Sequence, residues 1–134
     1  MKFIYYFAVF TLMISFSCKN NSFSVTTTDK TEVQNDIKIQ DISVEEAAEK
    51  ISAGQAIFLD VRTDKEVMDG MIPGSIHIDL NSPDFETEIK KLDKEQEYVV
   101  YCRSGGRSSK ACKVMKELGF KNLNNMKGGY SKWN

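Results

Sequence analysis

One cysteine, two arginines and two glycines fall within six residues, Cys102-Arg103-Ser104-Gly105-Gly106-Arg107, with Ser108 next in the chain. The thiolate of a cysteine is its nucleophilic form, and a free thiol with a pKa of about 8.5 is only a few per cent ionised at neutral pH. Two adjacent glycines let the backbone curl so that successive N–H groups point inward, and a helix opening behind them adds its positive end. The two guanidinium groups strengthen the same field. This stretch therefore predicts a cradle for an anion, and the simplest occupant is the Cys102 thiolate itself. Lowering the thiol by about two pKa units corresponds to about 2.7 kcal/mol and leaves it mostly ionised. A cysteine kept only for packing, followed by a glycine turn, accounts for neither arginine.

Such a loop needs a rigid strand to deliver the sulfur and a helix to close the cradle. Tyr98-Val99-Val100-Tyr101 is the strongest strand pattern in the chain and delivers Cys102 at its carboxyl end. Behind the glycines, Ala111, Val114, Met115 and Leu118 form the apolar stripe of a helix that Gly119 stops. Upstream, Ser43 with Glu46 and Thr63 with Glu66 are capping boxes, opening a helix over residues 43–52 and a shorter one that Gly70 closes. Between them, Ala56-Ile57-Phe58-Leu59 reads as a buried parallel strand ending in Asp60. Ile72-Pro73-Gly74 is a turn, residues 75–78 a short strand, Phe85, Ile89 and Leu92 a helical stripe, and residues 123–126 a last strand.

Strand and helix alternate throughout, which predicts an α/β domain with a parallel sheet covered on both faces, its ligands outside the carboxyl ends of the strands. Asp60, at the end of a neighbouring strand, is expected to accept N–H groups of the active loop. Arg62 and Glu66 are expected to pair across the helix start. Trp133 is expected to cover the core at the C-terminus.

The six-residue loop fits, at every position, the pattern Cys-Arg/Lys-x-Gly-x-Arg of the rhodanese family, and the chain resembles that family in three further segments. These are Leu59-Asp60-Val61-Arg62 with Glu66, Gly70-Met71-Ile72-Pro73-Gly74-Ser75-Ile76-His77-Ile78, and Leu118-Gly119-Phe120 followed by Met126-Lys127-Gly128-Gly129-Tyr130-Ser131-Lys132-Trp133. Met71 departs from the family, which commonly has histidine before Ile-Pro-Gly. The resemblance implies a small parallel sheet of about five strands with helices on both faces. It implies a sulfurtransferase that needs no cofactor, with Cys102 taking a sulfane sulfur from a donor such as thiosulfate and passing it to a thiol or cyanide. The N–H groups of residues 103–107, Ser104, Gly105 and Gly106 among them, would hold the persulfide. Arg103 would reach the anionic substrate and Arg107 would stabilise the loop or the persulfide charge, the two roles being open to exchange.

Two other functions fit part of the pattern. A cysteine-dependent phosphatase or arsenate reductase carries a similar loop with five residues between cysteine and arginine, whereas four stand here. A non-catalytic rhodanese-like module, binding a partner or sensing redox state, often lacks the cysteine that this chain keeps.

The rest of the sequence sets the setting. Over 134 residues, 18 Lys+Arg face 19 Asp+Glu, so no basic field exists to gather nucleic acid. Cys112 lies on the apolar stripe of its helix and reads as packing. His77, the single histidine, has no ligand-spaced partner, so no metal is expected. Residues 1–17 are one lysine followed by an uncharged apolar run, a signal peptide in outline. Ser15 and Ser17 flank a small-x-small cleavage site before Cys18, which resembles a bacterial lipoprotein signal, with Ser15 where leucine is usual. The expectation is an exported, monomeric protein, anchored to a membrane by lipidated Cys18. Residues 18–38 would form a flexible tether and residues 39–134 the folded domain, acting on a small sulfur-containing anion or thiol.

Overall fold

The computed structural model describes residues 37–133; the expected export signal, Cys18 and the expected tether up to residue 36 lie outside the described residues. The elements are β1 (Gln40–Ile42), α1 (Val44–Ser52), β2 (Ile57–Asp60), α2 (Asp64–Met68), β3 (Ile76–His77), α3 (Phe85–Ile89), β4 (Glu97–Tyr101), α4 (Gly106–Glu117), β5 (Asn122–Met126) and α5 (Tyr130–Trp133). They form the expected α/β domain. Its five-stranded sheet has the order β1-β5-β4-β2-β3, and every neighbouring pair runs parallel. The register sets Asp60 beside Tyr101, so β2 and β4 end together and the chain after each leaves at the same rim.

Successive residues of β4 face opposite sides of the sheet, and both sides are covered, which is why the strand reads as an unbroken apolar run. Tyr98 and Val100 pack with Leu59, Met115 and Phe120 on one face; Val99 and Tyr101 pack with Phe58, Ala47 and Met126 on the other. Trp133 joins the second cluster as expected, its ring meeting Phe58 edge-on at 5.7 Å. Both capping boxes form. Ser43 N–H donates to the Glu46 carboxylate at 2.8 Å, Thr63 N–H donates to that of Glu66 at 3.0 Å, and each hydroxyl accepts the N3 amide in return.

Two strands depart from what their composition suggests. Gln40-Asp41-Ile42 has one apolar residue in three and carries no strand pattern, yet it pairs with β5 along the sheet edge and buries Ile42. Asn122-Leu123-Asn124-Asn125-Met126 holds a residue type depleted in strands, yet Asn124 and Asn125 are buried there. Their amides are satisfied by side chains: Asn124 Nδ2 donates to Glu97 at 2.8 Å and Asn125 Nδ2 to Asp41 at 2.8 Å. Long-range pairing overrides local propensity in both cases.

At the rim, Asp60 is fully buried and Arg62 is 3% exposed. The Asp60 carboxylate accepts from the Arg62 backbone N–H at 2.9 Å, from Nε at 3.0 Å and from Nη2 at 2.6 Å. Arg62 Nη2 also donates to the Gly70 carbonyl at 2.7 Å, and the guanidinium lies over the Tyr130 ring at 3.9 Å. His77 Nε2 donates to the Arg62 carbonyl at 2.9 Å, since a carbonyl can only accept. Two expectations are corrected here. Asp60 does not hold the N–H groups of the active loop, because Arg62, two residues on, takes up its oxygens. Nor does Arg62 pair with the Glu66 carboxylate, which faces Thr63 and Arg107 instead.

This buried pair holds the end of β2, the Gly70 turn and Tyr130 together. Removing one partner of such a pair leaves an uncompensated charge in the interior, so Asp60→Ala is expected to cost about 3–5 kcal/mol, read from urea denaturation. A loss of under about 1 kcal/mol, the range of exposed ion pairs, would contradict this account of Arg62.

Candidate active site

Cys102 follows the last residue of β4 and α4 begins at Gly106, so four residues, Cys102 to Gly105, must reverse the chain between strand and helix. Gly105 makes the turn in the left-handed region, at φ 105°. No side chain caps α4. Its free amides meet the sulfur instead: Gly105 N–H donates to Cys102 Sγ at 3.2 Å, and Ser108 Oγ stands 3.6 Å from the same atom. Cys102 is 1% exposed. Burial pushes its thiol up, but the amides of Ser108, Gly105 and Ser104, with the Ser108 hydroxyl when it turns its proton to the sulfur, outweigh it, and the pKa ends below the ordinary thiol value. The expected cradle is present, and backbone donors build it.

If the loop's amides turn inward, its carbonyls must find donors elsewhere. Tyr130 N–H donates to the Cys102 carbonyl at 2.8 Å and Ser131 N–H to the Arg103 carbonyl at 3.0 Å. Gly129 permits this approach, since a Cβ there would lie 2.4 Å from the Cys102 carbonyl oxygen and 2.7 Å from that of Arg103. The segment at residues 128–131 is thus bolted to the back of the loop. Its pair of glycines was visible in the sequence, but its partner was not.

The two arginines differ sharply. Arg107 donates from Nη1 and Nη2 to the two Glu66 oxygens, each at 2.7 Å. Arg107 holds the Glu66 carboxyl down at about 2, against the upward push of burial and with help from Thr63. Arg107 therefore ties α4 to α2 as a neutralised pair. Arg103 is exposed and lines a cleft of about 280 Å³ with Arg62, Glu66, Asp69, Tyr130 and Ser131. Ser104 and Gly106 are exposed on the loop and Gly105 is buried beneath it.

The predicted residues divide accordingly: Cys102 to Arg107 form the loop, while Asp60 and Arg62 support it from behind through Tyr130 and Gly70. Cys112 is buried in α4, where burial pushes its thiol up to about 12, a packing environment and not a reactive one. Among the described residues no group of His, Cys, Asp or Glu is arranged to hold a metal ion. Sequence reasoning missed Glu66 as the partner of Arg107, the donors at Tyr130 and Ser131, and Asn125, which accepts from Ser108 Oγ at 2.6 Å. Two asparagines inside an otherwise strand-like segment were the available signal for the last.

Gly129→Ala must push the catalytic backbone aside as well as place a side chain at φ 57°. It is expected to cost more than about 2 kcal/mol in thermal unfolding, beyond the 1–2 kcal/mol of the left-handed conformation. Gly74→Ala, at φ 78° with nothing within 4 Å of its Cβ, supplies the conformational part alone. Equal losses in the two variants would remove the loop contact from the account.

The profile of the Rhodanese-like domain family matches residues 43–134. A Bacillus subtilis protein named "Putative sulfurtransferase YtwF" is 44% identical over 98 residues, covering 72% of this chain and 92% of that protein. A protein of Allochromatium vinosum named "Sulfurtransferase" is 28% identical over 96 residues, 71% of this chain and 88% of its own. The crystal structure of SSP1007 from Staphylococcus saprophyticus superposes with a TM-score of 0.65 at 31% identity, over 72% of this chain and 94% of that one. With a parallel five-stranded sheet, a cysteine at the end of its central strand and this breadth of match, the chain belongs to the rhodanese-like domain family.

Proposed function

We propose that the protein is a sulfurtransferase that carries sulfane sulfur on Cys102. The observation that carries this reading is a buried cysteine sulfur facing backbone amides, its thiol lowered despite burial. The names of the two relatives support it. In the first half-reaction the Cys102 thiolate attacks the outer sulfur of a donor such as thiosulfate; a sulfur–sulfur bond forms to Cys102, the donor's own breaks, and sulfite leaves with the electron pair. In the second, an acceptor thiolate or cyanide attacks the outer sulfur of the persulfide and Cys102 leaves as thiolate. Fixed amides around the loop stabilise negative charge on sulfur in both states without reorganising.

Arg103, exposed beside the cleft, draws in the anionic donor. Arg107 has a different task, because Glu66 occupies its guanidinium: it fixes the α4 end of the loop against α2. That pairing also weighs against phosphoryl transfer, which needs an open guanidinium fork for a tetrahedral oxyanion.

In an assay of sulfur transfer from thiosulfate to cyanide, Cys102→Ser is expected to abolish turnover and Cys112→Ser to keep most of it. Arg103→Ala raises the KM for thiosulfate more than Arg107→Ala does. Turnover by the Cys102→Ser protein would sink the reading.

We also propose that the chain is exported and held at a membrane by lipidated Cys18, a reading carried by the apolar run that ends at Ser17. Several acyl chains hold a protein firmly where one holds it marginally. The full chain is therefore expected in the membrane fraction, and Cys18→Ala is expected to leave it; a soluble cytoplasmic protein with residues 1–17 intact would refute both export and anchoring.

A further inference from the structure

Ser108 has one hydroxyl proton, and three acceptors lie within its reach: Asn125 Oδ1 at 2.6 Å, the Gly105 carbonyl at 3.1 Å and Cys102 Sγ at 3.6 Å. All four residues are buried. The Asn125 amide is not free to turn, because its Nδ2 donates to Asp41 Oδ1 at 2.8 Å and a carboxylate can only accept. Its Oδ1 is thereby aimed at Ser108, and the shortest of the three contacts takes the proton. The hydroxyl then shows Cys102 a lone pair, which suits a protonated thiol whose S–H can donate to it. A thiolate requires the reverse. The hydroxyl must swing its proton from Asn125 to Sγ, leaving Asn125 Oδ1 buried without a donor, and an orphaned buried acceptor is costly.

We propose that Asp41, Asn125 and Ser108 form a hydrogen-bonded chain that restrains the ionisation of Cys102, with Asp41 and Asn125 as positioning residues acting through the Ser108 hydroxyl. The chain runs from the sulfur across β5 to the edge strand β1, where Asp41 is half exposed and meets Lys127 at 3.2 Å. The Asn125 amide and Lys127 hold the Asp41 carboxyl below its usual range, so this end stays charged and polarises the Asn125 amide towards Ser108. The restraint opposes the backbone amides, which favour the thiolate. Such opposition has a use in sulfur transfer: nucleophilicity falls as a thiol's pKa falls, and the fastest attacking thiol has a pKa near the ambient pH. A cradle of amides alone would hold the thiolate too firmly.

The charged groups on the elements packed around Cys102 include Asp60 and Arg62 from β2 and its end, Glu66 on α2 with Asp64 and Lys65, Asp79 after β3, Glu97 at the far end of β4, Arg103 in the loop, Arg107 on α4 with Lys110, Lys113, Lys116 and Glu117 further along it, Asp41 on β1 and Lys127 after β5. Apart from Asp41 when it is itself substituted, all of these stay in place in the variants below.

The inference rests on Cys102 as the reactive thiol of the proposed function, and its test needs no sulfur donor. In the full chain, iodoacetamide alkylation of Cys102 is followed across pH by mass analysis of its peptide, which separates it from Cys18 and Cys112. The thiolate displaces iodide as the S–C bond forms, and the proton lost on ionisation goes to the buffer, so the rate follows the ionised fraction. Asn125→Leu frees Ser108 to face the sulfur and is expected to lower the midpoint by about half a pH unit, or about threefold more thiolate on its acid side. Asp41→Asn, at a half-exposed site that tolerates change, shifts it the same way by less. In a Ser108→Ala background, Asn125→Leu adds nothing, because the hydroxyl that transmits the effect is gone. An unchanged or raised midpoint in both Asn125→Leu and Asp41→Asn, or an equal shift with and without Ser108, overturns the proposal. Absence of thiosulfate turnover in a protein that shows these shifts would overturn the proposed function and leave the chain standing.

Discussion

A peptide unit that points its N–H at a sulfur points its C=O the other way, and the architecture around Cys102 is an answer to that constraint. The amides of the loop turn inward, which is possible because Gly105 adopts a left-handed conformation. The carbonyls of Cys102 and Arg103 turn outward and are met by the amides of Tyr130 and Ser131. A buried carbonyl without a partner would cost more than most side-chain contacts contribute. The C-terminal segment is therefore part of the site even though it supplies no reacting group. Gly129 lets the two backbones touch, and Tyr130 carries the contact outward to Arg62, Asp60 and the end of β2.

Charge is distributed by the same logic. Of the three arginines near the loop, two are committed to carboxylates: Arg62 to Asp60 inside the protein and Arg107 to Glu66 between α2 and α4. Both pairs fix backbone segments, so the anion-stabilising work at the sulfur is left to amides, which need no counter-charge and cannot swing away. Arg103 alone keeps an exposed guanidinium beside the cleft. This division suits a site that holds charge on a single sulfur atom.

The parts of the fold that were legible in the sequence are those written locally. The apolar run at residues 98–101, the glycines at 105 and 106 and the two capping boxes each specify their own conformation. The expectations for Asp60 and Glu66 fail in opposite directions, since Glu66 is expected beside nearby Arg62 and Asp60 beside the distant loop. Glu66 in fact pairs with a residue 41 positions away, and the oxygens of Asp60 are filled by a neighbour before any loop amide can reach them. The edge strand β1 and the Asn125 amide were illegible for a related reason. A three-residue strand is made by the strand it joins, and a buried asparagine is explained only by partners as distant as Asp41.

The most direct test of the central claim, that the amide cradle exists to hold a persulfide on Cys102, is the mass of the Cys102 peptide after the protein meets a sulfane donor and again after cyanide. The account predicts one added sulfur atom on that peptide and its complete removal by cyanide. An unmodified Cys102, or sulfur appearing on Cys112 instead, would contradict it.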